Sequence, residues 1–213
     1  MASTKVILLG APGVGKGTQA KRLIDVLKVP HISTGDMLRE ARAAGTDLGK
    51  QAAGFMDQGQ LVPDSLVIAL VKDRVARSDC GKGYVLDGFP RTVAQAEAMD
   101  QAGIQVDAVA DIAVAEGELV RRITGRRSCG SCGAVYHVEF SPPKDGAHCD
   151  KCGGALTIRD DDREETVRNR LRVYHEKTAP LAAFYGKKGL LRSVDGRGGP
   201  DEVFKKLIAA LGA

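Results

Sequence analysis

Two groups of residues in this chain have the types and spacing to do chemistry. The first is the stretch Gly10-Ala-Pro-Gly-Val-Gly-Lys-Gly-Thr18. Its glycines let successive backbone N–H groups turn inward toward phosphate oxygens, and a helix that follows adds the positive end of its dipole. Lys16 supplies a mobile charge for the β and γ phosphates of a nucleotide. The usual loop of this kind has Ser or Thr directly after the lysine; here Gly17 stands there and the hydroxyl arrives one residue later, at Thr18. The second group is Cys129-x2-Cys132-x16-Cys149-x2-Cys152. Two turns each present two thiolates, a set that suits tetrahedral Zn²⁺. With sulfur in all four positions no site is left for water, so a structural metal is expected. A reduced tetrad or local disulfides are the alternatives. His137 and His148 lie nearby and rank behind the cysteines, which already supply the ligand count. Cys80 has no partner in this pattern and is assigned no role.

Other candidates stand singly. Asp87 closes the apolar run Tyr84-Val-Leu-Asp87 and leads into Gly88-Phe-Pro-Arg91. Arg91 is thus placed just past a strand end, where ligands gather in open α/β sheets, and Gln95 can both donate to and accept from the edge of a base. Asp87 reads equally as a carboxylate that starts a turn. In Ile32-Ser-Thr-Gly-Asp-Met-Leu-Arg39, Ser33, Thr34 and Asp36 serve equally as caps for a helix beginning near Gly35, with Arg39 in solvent. Taken one at a time, Arg126, Arg159 and Arg170 read as solvated helix charges. Arg122 and Arg127 are assigned no more than that.

The elements that must position these residues alternate. Lys5–Leu9 is a short apolar run before the glycine loop, and from Gly15 the spacing of Ala20, Leu23, Ile24 and Leu27 turns helical. Tyr84–Asp87 and Ala108–Val114 read as further buried strands, and Leu190–Val194 as another. Helical spacing covers Leu66–Ala76, Val93–Gln101 and Glu118–Ile123, and Pro200 with Asp201 and Glu202 opens a last helix to Leu211. Such alternation predicts a parallel sheet covered by helices on both faces. Two segments interrupt it: residues 33–62, with five glycines among short helical pieces, and the cysteine-bearing residues 125–162. At 213 residues and 43% hydrophobic content the chain can bury a sizeable core. A formal charge of +4 is too mild to imply nucleic acid, and the cysteine segment lacks a basic stripe interleaved with aromatics. No apolar run approaches the roughly 20 residues of a membrane span, and MASTKVILLG has no signal-peptide core, so a cytoplasmic protein without membrane attachment is expected.

The GAPGVGKGT loop, the DGFPR stretch and the four-cysteine segment together resemble the adenylate kinase family, in its long form with a zinc-bearing lid, from end to end of the chain. The resemblance implies a P-loop NTP-hydrolase-like three-layer α/β fold. Residues 1–32, 63–124 and 163–213 would form the core, 33–62 an AMP-binding insertion and 125–162 the lid. It puts the phosphates of ATP on Gly13, Val14, Gly15, Lys16, Gly17 and Thr18, with Mg²⁺ held largely by phosphates and water near Asp87. It puts AMP against Thr34, Arg39, Gln60, Leu61, Val62, Gly88, Phe89, Pro90, Arg91 and Gln95. The family often carries Lys where Gln60 stands, so a backbone role is implied there. Arg126, Val135 and Tyr136 match lid residues beside ATP, and Gly198 the backbone beside its adenine. Arg159 and Arg170 match residues that bridge toward the transferring phosphoryl group.

The implied activity is reversible transfer of the terminal phosphoryl of ATP to AMP, giving two ADP and balancing the adenine nucleotides. The attacking phosphate oxygen is already deprotonated, so no general base is required. Lys16, Arg91, Arg126, Arg159, Arg170 and Mg²⁺ would stabilise the charge in flight. A closing lid, for which adenylate kinases are a known case, would exclude water, with Asp161 and Asp162 pairing with lid-edge arginines. The resemblance further implies a monomer. A kinase for a different nucleoside monophosphate, and a nucleotide-gated zinc-ribbon adaptor, are the competing readings.

Overall fold

The computed structural model describes residues 4–213. Five strands form one parallel sheet: β1 (Lys5–Leu9), β2 (His31–Ser33), β3 (Tyr84–Asp87), β4 (Ala108–Ala113) and, last in the chain, β8 (Leu191–Asp195). Their order is β2-β3-β1-β4-β8. Val6–Leu9 are all buried, as a strand covered on both faces requires. Leu8 lies opposite Asp87 on one side and Ala110 on the other, so the loop after β1 leaves the sheet beside Asp87. The strand order runs outward in both directions from β1, and this reversal creates the crevice at the carboxyl edge of the sheet.

Helices cover both faces. Leu23 of α1 (Lys16–Leu27), Leu119 and Ile123 of α6 (Glu116–Thr124), Val167 and Leu171 of α7 (Glu164–Val173) and Leu207 of α9 (Pro200–Leu211) pack on one side with Val6, Leu8 and Ala110. On the other, Ile7 and Leu86 meet Leu38 of α2 (Thr34–Ala43), Ala52 of α3 (Asp47–Asp57) and Val71 of α4 (Asp64–Val75). Met99 of α5 (Val93–Gln101) and Leu181 of α8 (Pro180–Lys187) complete that layer. The expected three-layer α/β arrangement is therefore present. The cysteine-bearing segment forms a separate antiparallel sheet, β6-β5-β7, from β5 (Arg126–Cys129), β6 (Val135–His137) and β7 (Leu156–Thr157). No helix among the described residues is long and apolar enough to cross a membrane.

Several elements go beyond the sequence expectation, among them the three strands of the cysteine-bearing segment. β2 is only three residues long and merges into the Ser33 cap of α2, where Ser33 Oγ accepts from the Asp36 N–H at 3.2 Å. The stretch from α7 to α8, joined by the π-turn Tyr174–Thr178, carries no clear apolar period because α7 reads Glu-Glu-Thr-Val-Arg-Asn-Arg-Leu-Arg-Val. In the remaining helices the differences are at ends: α4 and α6 each start two residues before the expected Leu66 and Glu118, since acidic first turns are invisible to hydrophobic spacing.

Candidate active site

The glycine loop connects β1 to α1 as a phosphate-binding loop must. Gly13 has φ +87°, and a Cβ there would lie 2.7 Å from Ile123 Cγ1, so only glycine allows this approach to α6. Lys16 lies back across the loop, its Nζ donating to the Gly10 carbonyl at 2.7 Å and the Ala11 carbonyl at 2.9 Å. Burial pulls its pKa down to about 8; Asp87 opposes this, while Arg91, Arg170 and Arg126 add to it. Thr18 is exposed on the first turn of α1. At Gly17 a Cβ would stand 3.4 Å from Asp87 Oδ2, so the loop runs close beside that carboxylate. Asp87 also accepts from His31 Nε2, 3.3 Å away, and both side chains are largely buried. Sequence reasoning missed His31; its place directly before the Ile32-Ser-Thr motif was the available signal.

The arginines do converge. Arg126 donates from Nε to Asp162 Oδ2 at 2.7 Å and from Nη2 to Asp162 Oδ1. The Asp162 side chain is 0% exposed and also accepts from Arg170 Nη1 at 3.1 Å. Arg170 donates in addition to the Asp161 carbonyl at 2.7 Å and pairs with its carboxylate at 3.1 Å. Arg39 pairs with Asp36 at 2.5 Å and reaches Asp161 at 3.9 Å. Arg91 donates from Nε to the Gly88 carbonyl at 2.7 Å, and Arg159 from Nε to Ser128 Oγ at 2.8 Å. Burial lowers both Arg91 and Arg159 to about 10, with Arg170 adding to the effect at the first and Arg39 and Arg126 at the second. At Arg126 burial works the same way but the Asp162 carboxylate outweighs it, and the pKa rises. Asp161 is penalised by burial, yet Arg170, Arg39 and Arg126 hold it below the usual carboxylate range. Lys16 and five arginines thus face four carboxylates, Asp36, Asp87, Asp161 and Asp162, an arrangement with spare positive charge for an anion.

Thr34 is buried and donates from Oγ1 to the Gly88 carbonyl at 2.8 Å, tying α2 to the turn that carries Arg91. Phe89 and Pro90 are buried beneath that turn. Gln95 is also buried, and its amide is engaged at both ends, by Asp64 and by the Arg91 N–H. Gln60, Leu61 and Val62 form one wall of a cavity of about 370 Å³, which Asp64 and Thr92 also line.

In the cysteine-bearing segment, the Sγ atoms of Cys129, Cys132, Cys149 and Cys152 lie within 4.8 Å of one another. Cys129–Cys152 and Cys132–Cys149 are each 3.5 Å apart, far beyond a disulfide bond and close to the edge of a tetrahedron with Zn–S bonds of about 2.3 Å. The Tyr136 hydroxyl, 3.5 Å from Cys149 Sγ, draws that thiol down to about 6, whereas at Cys152 the Gly154 N–H is outweighed by Cys132 and Cys129, which push the thiol up to about 12. Four thiolates fit Zn²⁺, and the core beneath them is only Ala134, Tyr136 and Leu156 with two of the cysteines themselves. His137 and His148 are used elsewhere, by the Arg121 carbonyl and by Asp145. Lys21 Nζ donates to the Gly133 carbonyl at 2.8 Å, bringing this segment over α1, with Val135 exposed and Tyr136 buried. Gly198 lies exposed in the loop before α9, a loop tied to α1 by Gln19 and to α6 by Arg122. Arg122 is not the solvated charge expected: it pairs with Glu118 and is 17% exposed. Arg127 likewise folds onto the carbonyls of Thr124 and Arg126.

Comparison with known proteins agrees with this geometry. The family model described as adenylate kinase matches residues 8–190. The chain is 56% identical over 210 residues to an adenylate kinase of Archaeoglobus fulgidus, covering 97% of each chain. It is 53% identical over 211 residues to one of Thermodesulfovibrio yellowstonii, covering 97% of this chain and 98% of that one. With one of Syntrophobacter fumaroxidans it shares 56% over 211 residues, covering 97% and 99%. Since the match spans nearly the full length of each, this chain belongs to the adenylate kinase family.

Proposed function

We propose that the chain catalyses the reversible, Mg²⁺-dependent transfer of the terminal phosphoryl of ATP to AMP, giving two ADP. The observation that carries this reading is the convergence of Lys16, Arg91, Arg126, Arg159 and Arg170 beside the glycine loop. Phosphoryl transfer between phosphates asks for just this: cations, alignment and dryness.

In this reading the loop N–H groups from Gly13 to Thr18 take the phosphates of ATP, and Lys16 exchanges its two carbonyl partners for phosphate oxygens. Arg39 and Arg91 hold the AMP phosphate, with Thr34, Gly88, Phe89 and Pro90 shaping its pocket and Gln60–Val62 offering backbone. Arg126, Arg159 and Arg170 neutralise the group in flight, Arg126 after leaving Asp162, Arg170 after leaving Asp161 and Asp162, and Arg159 from its place on Ser128. Val135, Tyr136 and Gly198 border ATP. Mg²⁺, which would supply further charge neutralisation when bound, would be held largely by phosphates and water near Asp87. Cys129, Cys132, Cys149 and Cys152 would hold Zn²⁺, which supplies a crosslink to a lid too small to fold on its own core. Residues 1–32, 63–124 and 163–213 act as the core, 33–62 as the AMP-side insertion and 125–162 as the lid, in a cytoplasmic monomer. Purified protein with ATP, Mg²⁺ and each of AMP, GMP, CMP and UMP tests this: ADP should form with AMP far above the others. Absence of turnover with AMP, or preference for another acceptor, refutes it.

A further inference from the structure

An amide is by itself a degenerate reader of purines. Adenine presents an N6–H donor beside the N1 acceptor, whereas guanine and hypoxanthine present an O6 acceptor beside an N1–H donor. The two patterns occupy the same positions with roles exchanged. A glutamine free to turn over its terminal amide matches either one, so discrimination needs something that fixes which end is oxygen.

The geometry points to Asp64 as the positioning residue that locks the Gln95 amide in the orientation that reads adenine and rejects 6-oxopurines. Asp64 opens α4, and its Oδ1 accepts from Gln95 Nε2 at 2.7 Å. Its Oδ2 accepts from Thr92 Oγ1 at 3.1 Å, and that hydroxyl in turn accepts from the Gln95 backbone N–H at 3.0 Å as the cap of α5. At the other end of the amide, Gln95 Oε1 accepts from the Arg91 N–H at 2.7 Å. A carboxylate only accepts and a backbone N–H only donates, so the two partners independently demand the same orientation. Turning the amide over would set its NH₂ against the Arg91 N–H and its oxygen against the Asp64 carboxylate. Gln95 is 2% exposed, so water cannot compensate either mismatch.

With both outer partners in place, one N–H and one oxygen lone pair of the amide remain free, a donor and an acceptor whose order is set. Of the two locking contacts the one to Asp64 is charge-assisted and therefore the stronger. It also reaches across 31 residues of sequence, from the helix that follows the 33–62 insertion to the helix that carries Gln95. Base reading is thereby made dependent on the packing of α4 against α5.

This inference rests on AMP being the acceptor, and the experiment separates the two claims. Steady-state transfer from ATP and Mg²⁺ to AMP, GMP and inosine monophosphate is measured for the wild type, Asp64→Ala and Asp64→Asn, with thermal unfolding of each. For Asp64→Ala the KM for AMP should rise about tenfold, the preference for AMP over inosine monophosphate should narrow about tenfold or more, and the KM for ATP should stay within about twofold. Asp64→Asn keeps an acceptor oxygen but also offers an NH₂, so its preference should narrow less. If Asp64 merely tied α4 to α5, both KM values would rise together and the ratio of acceptors would stay at the wild-type value; that result overturns the proposal. Should Asp64→Ala fail to fold, an unchanged ratio in Asp64→Asn does the same. A wild type that does not prefer AMP removes the acceptor reading itself, whereas a wild type that does, with unmoved variants, removes only the role of Asp64.

Discussion

Asp162 tests whether the carboxylates of the cleft stand in for phosphate. Its side chain is 0% exposed and takes two hydrogen bonds from Arg126 and one from Arg170. Removing one partner of a buried ion pair costs about 3–5 kcal/mol, because the remaining charge is left without compensation. Asp162→Asn keeps the volume and one accepting oxygen but deletes the negative charge shared by two guanidinium groups. We therefore expect a loss of about 2–4 kcal/mol in the unliganded protein, below the full cost because one neutral hydrogen bond survives. For a chain of this size about 3 kcal/mol lowers Tm by roughly 6–12 °C. Adding AMP with a β,γ-methylene analogue of ATP changes the sum, since phosphates then supply the charge that Asp162 supplied. The ligand-induced rise in Tm should be larger for Asp162→Asn than for the wild type, and binding by calorimetry correspondingly tighter. An equal drop with and without the ligand pair would show that Asp162 is an ordinary structural anchor; no drop at all would refute the burial argument.

Two further outcomes follow from the same geometry. Burial holds Lys16 at about 8, below its ordinary value, so its charge is present below that pH and lost above it. The ratio kcat/KM for ATP, which reports the free enzyme, should fall as pH rises through about 8, and Lys16→Met should abolish transfer; a flat profile from pH 7 to 9.5 contradicts this. The four-cysteine site predicts about one Zn²⁺ per chain, released by a thiol-reactive mercurial and detected with a metallochromic dye. Cys149→Ser should lower both zinc content and Tm, and a protein that carries no metal yet is unaffected by Cys149→Ser shows that the tetrad is not a metal site.

How far the site could be read from sequence depended on the distance between partners. Tyr84–Asp87, Val93–Gln101 and Pro200–Leu211 carried both period and punctuation, and the structure has them at those residues. The glycine loop was equally plain, because its chemistry is local: backbone N–H groups and one lysine within nine residues. α7 was not legible, since a helix whose outer face is nearly all Arg and Glu shows hydrophobic spacing only at Val167, Leu171 and Val173. His31 was missed for a different reason. It meets Asp87 across 56 residues, through the parallel pairing of β2 with β3, and neither strand by itself announces that register. Motifs identify groups that face a ligand, since those recur at short spacing. The pairing of Asp162 with the lid-edge Arg126 across 36 residues was implied by the family resemblance alone, and the hold of Asp64 on Gln95 across 31 is selected by tertiary packing. In the proposed transfer a carboxylate that releases an arginine to phosphate has to be near enough to neutralise it and weak enough to yield, and that balance is a property of burial, which no spacing rule encodes.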